Sequence, residues 1–337
     1  MITDRHPSIW TLDASKIKSY MECPRSFFFR YVLGWEPDTY RSKYHLVFGR
    51  ALHIALEHLL LHGMDDKSIM EAYDKFLEDY RSEPEFTPET DDMREPKTPS
   101  RALQALVGYA ERYKHEDAEL DVLYTETSGQ VLVAEDIPIL FRVDAIVRDD
   151  HGIFVLEHKT ASRLSQGWID QWALSVQVGL YIHLLMSLFN PDEVWGAKIN
   201  GIFLYKSKKP DFVRVPIMKN ETMLENWRLN MLKWVQSIMD DLMSVDKDTG
   251  RYMTTFRMNT QSCSNYYGCP YRDLCMSWDN PVLRSDEPPA GFRVRWWDPR
   301  DLDEGAQAHL EGAPIKDVNQ TGQLDLFDWA KKREEKK

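Results

Sequence analysis

The sequence predicts a mixed α/β fold with a central β-sheet flanked by helices. Three observations predict it. Apolar residues recur at helical spacing over 46–62, 67–81 and 100–117. Strand-type runs then follow one another from 119 to 159, broken by turn residues. A helix, two more strands and a long helix succeed them, so strands and helices interleave rather than segregate. The chain has 337 residues, 43% of them hydrophobic and 28% charged. That is enough for about two domains or one large α/β unit with a substantial core.

In chain order, SKIKSYMECPRSFFFRYVL (15–33) reads as a helical pair broken at Cys23-Pro24, with Ser15 as the N-cap. The helices 46–62, 67–81 and 100–117 follow, the last two separated by an acidic, proline-containing loop over 83–99. Strands are expected at 119–128, 131–135, 138–148 and 152–159, with RDDHG as the turn between the last pair. A helix is expected over 168–189, strands over 197–206 and 211–217, and a long helix over 221–245. Beyond about residue 280 the chain is rich in Pro, Asp and Glu and reads as a weakly structured tail. There is no internal repeat.

Formal charge is −12, from 42 Lys plus Arg against 54 Asp plus Glu. This excludes a uniformly basic nucleic-acid coat but leaves room for a local basic channel, as in YKSKKP (205–210). No early segment has the make-up of a signal peptide, and VQVGLYIHLLMSLF is too short to span a bilayer and carries His183. The expected location is cytoplasmic.

The stretch IFVLEHKT (153–160) runs four strand-type residues into three ionisable ones. Burying such charges is costly unless they are paired or hold a metal. Glu157 and Lys159 are two apart and point to one face of their strand. Asp144 interrupts the apolar run of LFRVDAIV (140–147), and pairing of the two strands would bring it beside Glu157. Two close carboxylates repel unless a cation lies between them, and Mg²⁺ or Mn²⁺ prefers such oxygen ligands. A neighbouring lysine orients water or stabilises charge on phosphate. A buried acid–lysine ion pair accounts equally well for the motif alone. Elsewhere, Gly49 and His53 share a helix face, as do Gln177 and Tyr181.

Taken in order, these elements resemble the RecB-like branch of the PD-(D/E)xK nuclease superfamily. That branch carries a helix His, a strand Asp, a Glu/Asp-x-Lys strand and a Gln-x-x-x-Tyr helix. Here they fall on His53, Asp144, Glu157-His158-Lys159 and Gln177/Tyr181, and SKIKSYMECPRSFFFRYVLG and FGRALHIALE look like its N-terminal helices. Phe141 stands where many relatives have Gly. The resemblance covers roughly 14–280 and implies a restriction-endonuclease-like core that hydrolyses DNA. It also implies that Asp144, Glu157, the His158 carbonyl and His53 hold Mg²⁺ or Mn²⁺. Lys159 would position the attacking water, and Gln177 and Tyr181 would contact the DNA backbone or support Lys159.

Three of the four cysteines, Cys263, Cys269 and Cys275, lie within one short segment, and Cys23 sits in the first helical pair. One site using all four would clip the chain's start to the end of its core, with Zn²⁺ or an iron–sulfur cluster as candidates. Members of the branch named above, AddB-type and CRISPR-adaptation nucleases, hold a [4Fe–4S] cluster with one early and three late cysteines. The resemblance therefore implies iron–sulfur.

Near the C-terminus, Gln323-Leu324-Asp325-Leu326-Phe327 looks like the bacterial sliding-clamp-binding peptide. Such a segment orders on a groove, Leu326 and Phe327 filling an apolar pocket and Gln323 bonding at its edge. No Gly-x4-Gly-Lys-Ser/Thr loop is present, so any helicase or recombination protein would be a separate partner. The expected organisation is a helical region over 1–118, a nuclease core over 119–250, an iron–sulfur segment over 251–282 and a flexible tail over 283–337. The expected function is a phage or bacterial DNA exonuclease tethered to the clamp. The alternatives are a CRISPR-adaptation-type nuclease and a non-catalytic DNA-binding clamp partner.

Overall fold

A computed structural model describes residues 1–38, 43–134, 136–302 and 307–308. The segment Gln323–Phe327 lies outside these residues. The helical elements are α1 (Ala14–Glu22), α2 (Pro24–Phe27), α3 (Lys43–His62), α4 (Asp66–Arg81), α5 (Pro99–Asp117), α6 (Gln166–Asp170), α7 (Val176–Leu188), α8 (Glu221–Val245) and α9 (Arg272–Ser277). The strands are β1 (Trp35–Pro37), β2 (Asp121–Ala134), β3 (Ile137–Asp149), β4 (Gly152–Ala161), β5 (Val194–Phe203), β6 (Asp211–Ile217), β7 (Phe292–Val294) and β8 (Gln307–Ala308).

The main sheet runs β6-β5-β4-β3-β2-β8; β4 and β5 are parallel and the other neighbours antiparallel, so the fold is the expected mixed α/β sheet with flanking helices. Ile146, Ile153, Val155 and Ile199 pack towards α7 and α8 through Val178, Ile182 and Val235. On another face, α3, α4 and α5 form their own cluster around Phe48, Phe76, Leu106 and Tyr109. No helix among the described residues is long and apolar enough to cross a membrane.

Four local expectations are corrected. The first helix is capped by Asp13, whose carboxylate accepts from Lys16 N at 2.7 Å, rather than by Ser15. One long strand, Asp121–Ala134, takes the place of the two expected over this stretch, because Gly129 at φ 158° remains extended. The helix expected over 168–189 is interrupted: Ser165 caps α6, a turn follows, and Ser175 caps α7. Two competent serine caps close together favour two short helices over one.

The fourth correction concerns the expected tail. Over residues 281–302 the chain returns to the core: β7 pairs with β1, Trp296 stacks on His6 at 4.8 Å, and the Trp297 indole donates to Asp13. The indole of Trp296 covers Gly34 so closely that a Cβ there would lie 2.9 Å from it. Aromatic burial outweighs the Pro/Asp/Glu composition in this stretch.

Candidate active site

The β3–β4 ladder runs from Asp149↔Gly152 to Ala145↔Leu156 and ends there. Beyond that rung β3 pairs with β2, and β4 pairs with β5. The sheet forks at this point, and the next residues on the two prongs are Asp144 and Glu157. A backbone amide that loses its ladder partner needs another acceptor. His158 N–H donates to Asp144 Oδ2 at 2.7 Å, so the fork itself aims the aspartate.

Across the fork, His53 from α3 meets Asp144 Oδ1 through Nδ1 at 3.1 Å. On β4, Lys159 Nζ donates to Glu157 Oε1 at 2.6 Å. Gln177 Nε2 donates to the same oxygen at 3.1 Å and to Tyr181 Oη at 2.6 Å, while Tyr181 O–H donates to the Arg142 carbonyl at 2.7 Å. The structure thus brings His53, Asp144, Glu157, Lys159, Gln177 and Tyr181 into one connected group. Tyr181 is buried and its hydroxyl is engaged internally. Through these bonds it and Gln177 tie Glu157 to β3. The His158 side chain turns the other way, with Nδ1 accepting from Asn200 Nδ2 at 2.7 Å.

The electrostatics follow from burial and proximity. Burial raises the Asp144 carboxyl, but the charge and hydrogen bond of His53 outweigh it, helped by His158 and Lys159, and hold it below the usual carboxylate range. Glu157 is pushed up by burial and then by the Asp144 charge, against the pull of Lys159. Burial would lower Lys159 and His53, yet the facing carboxylates raise both. Burial takes the His158 imidazole down to about 3, which keeps it neutral and its Nδ1 free to accept.

Glu157 therefore carries a cost of burial and of repulsion from Asp144 that Lys159 does not fully offset. Glu157 Oε2 is buried and has no hydrogen-bond partner. A buried carboxylate oxygen without a donor fits a cation, and the hard oxygen set suits Mg²⁺ or Mn²⁺. Among the described residues, the His/acid trio whose ligand atoms all lie within 4.8 Å of one another is elsewhere, at Asp149, Asp150 and His151. That trio is the turn of the β3–β4 hairpin, and Asp150 and His151 are exposed. Adjacent charges on a surface turn do not need an ion.

Cys23, Cys263, Cys269 and Cys275 form no disulfide. Burial raises the Cys275 thiol to about 11 and raises Cys269 as well. Both feel Cys23 and Cys263, so the four cysteines share one neighbourhood, with Arg25 beside Cys275. Asn259 N–H points at Cys23 Sγ at 3.4 Å, and Cys269 N–H closes a loop on the Cys263 carbonyl at 2.9 Å. Backbone N–H groups aimed at sulfur and a nearby cation suit thiolates held by a metal or cluster.

Two residues at the site escape reasoning from motifs. Glu126 on β2 lies between the rungs Thr125↔Ala145 and Thr127↔Val143, as Asp144 does on β3, takes the left-handed φ of 45° and accepts from Arg142 Nε at 2.9 Å. Asn200 lies next to His158 on the parallel strand β5. Only the strand pairing reveals either.

A family model described as the PD-(D/E)XK nuclease superfamily matches residues 11–276. Among solved structures, a Eubacterium rectale protein named "Putative exonuclease" is 11% identical, covering 68% of this chain and 81% of its own at TM-score 0.44. A second, SSO0001, is 16% identical and covers 56% of this chain and 86% of its own at TM-score 0.25. No curated protein matches the chain. The family match spans most of the 337 residues, including the fork and the cysteine segment, and this chain belongs to the PD-(D/E)XK nuclease superfamily.

Proposed function

We propose that the protein is a Mg²⁺- or Mn²⁺-dependent DNA exonuclease of phage or bacterial replication, recombination or repair, acting in the cytoplasm. The observation that carries the reading is the fork: two acids from parted strands, one with an orphaned buried oxygen, an imidazole across from them and an ammonium alongside. Asp144, Glu157, His53 and the His158 carbonyl would hold the ion. When bound, the ion polarises the scissile phosphate and eases deprotonation of the attacking water. Lys159 stays charged beside Glu157, where it can orient that water and offset charge on a phosphate oxygen. Gln177 and Tyr181 keep Glu157 in place and act as positioning residues. In the assay that tests this, end-labelled single- and double-stranded DNA is incubated with the protein and Mn²⁺. Shortening from the labelled or unlabelled end supports the proposal; intact DNA in every arm overturns it, and internal cuts alone overturn the exonuclease part.

The same reading assigns Cys23, Cys263, Cys269 and Cys275 to a [4Fe–4S] cluster that fastens the start of the chain to the end of its core. It further assigns Gln323, Leu324, Asp325, Leu326 and Phe327 to a bacterial sliding clamp, which would raise the enzyme's local concentration on DNA. Phe327→Ala is expected to weaken clamp binding by about tenfold or more, since one buried aromatic anchor carries much of such an interface. Surface plasmon resonance with immobilised clamp measures it, and unchanged affinity gives the tail another role.

A further inference from the structure

Lys97, in the loop that leads into α5, is 7% exposed. Its ammonium donates to Thr160 Oγ1 at 3.2 Å and lies 5.8 Å from the centre of the Phe48 ring. Among the described residues it has no carboxylate partner. Most buried ammonium groups are paired with an anion, because an isolated one is costly. Arg94 and Arg214, also largely buried, both have anionic or multiple carbonyl partners. Lys97 has a single neutral one.

Its position gives this meaning. Thr160 directly follows Lys159 at the carboxyl end of the parallel β4–β5 pair, where open α/β sheets bind ligands. The same edge gathers Arg163, Lys206, Lys208 and Lys209, all exposed, and Arg101, which donates to the Lys206 carbonyl. Acids are few there: Glu95 pairs with Arg101 and Asp211 with Lys208. In a chain of charge −12 this is a local concentration of positive charge. On α3, His45, Gly49 and His53 succeed one another at four-residue spacing on one face. A Cβ on Gly49 would meet nothing within 4 Å, so the helix is open there. His45, close enough to feel the Lys97 charge, lies two turns, roughly 12 Å, from His53.

We propose that Lys97 is a phosphate anchor for the DNA strand that reaches the catalytic fork along the open face of α3. A backbone phosphate supplies the counter-charge that the protein does not, and the exposed lysines of the 206–209 loop steer the strand towards it. This inference rests on the nuclease reading above, and its test separates the two.

Binding of a fluorescein-labelled single strand and of its duplex is measured by anisotropy in EDTA over a range of salt concentrations. Loss of one phosphate contact lowers the slope of log affinity against log salt by about 0.7 for a single strand and about 0.9 for a duplex. Lys97→Met is expected to show that loss with an unchanged or raised Tm, whereas Lys97→Arg keeps the wild-type slope. On the unaltered protein, DNA should protect Lys97 from acetylation by acetic anhydride, read by mass spectrometry. An unchanged slope in Lys97→Met, or equal acetylation with and without DNA, overturns the anchor alone. A wild-type protein with no salt-dependent DNA binding overturns both the anchor and the nuclease reading.

Discussion

Asp144→Asn lowers metal-dependent DNA cleavage by on the order of 10³-fold and destabilises the fold above the carboxylate range of pH. Activity falls because the substitution removes the carboxylate charge that, with Glu157, would hold the ion. Stability falls as well, because His53 and Lys159 favour the Asp144 carboxylate in the folded state by more than burial and its repulsion towards Glu157 cost. Opposite signs are expected at Glu157, whose carboxyl burial and the Asp144 charge push up: Glu157→Gln loses activity and gains stability, as at a site whose charges serve function at the expense of the fold. Lys159→Met loses activity too but destabilises the fold, because it leaves Glu157 buried without its ammonium partner. Gel assays with end-labelled DNA and Mn²⁺, run beside thermal denaturation, provide both numbers. Cleavage at the wild-type rate in any of the three removes that residue from the site.

The second large effect concerns the cysteines. The protein purified anaerobically should be brown and contain iron, and Cys23→Ser should lose both colour and iron. Its Tm should fall by on the order of 10 °C, as expected when several kcal/mol of stabilisation leave a chain of this size. The loss reaches far because Cys23 sits where α1 and α2 meet a segment some 240 residues later, in a seam that also holds Asn259 to the Glu22 carbonyl and Arg25 to the Phe256 carbonyl. Iron and absorbance measurements on wild type and variant decide the matter. Colourless wild-type protein with stoichiometric zinc would replace the cluster with a zinc site, and a Cys23→Ser protein that stays brown would exclude Cys23.

What could be read in advance divides along physical lines. Glu157 and Lys159 share a face because strand geometry has a period of two, and Asp144 faces Glu157 because their strands are joined by a short turn. Local rules suffice for that. The fork does not follow from them. Nothing in LFRVDAIV says that β3 parts from β4 at Asp144 while keeping β2, since that depends on pairing across the assembled sheet. Glu126 was hidden for a related reason: a glutamate in a strand pattern gives no sign of a positive φ. Lys97 and Thr160 lie 63 positions apart and meet only once α5 has docked. The break between α6 and α7 was closer to hand, because Ser165 and Ser175 are ordinary caps, but the apolar periodicity running through Trp168 and Trp172 masked them.

The homecoming of residues 292–298 has a practical consequence for anyone trimming the molecule. A version cut near residue 280, where composition suggests that order ends, would uncover the aromatic layer of Phe29, Trp35 and Tyr271 and strip the indole lid from Gly34. Such a fragment should be sticky and poorly soluble, whereas one ending just past Arg300 keeps its seam closed.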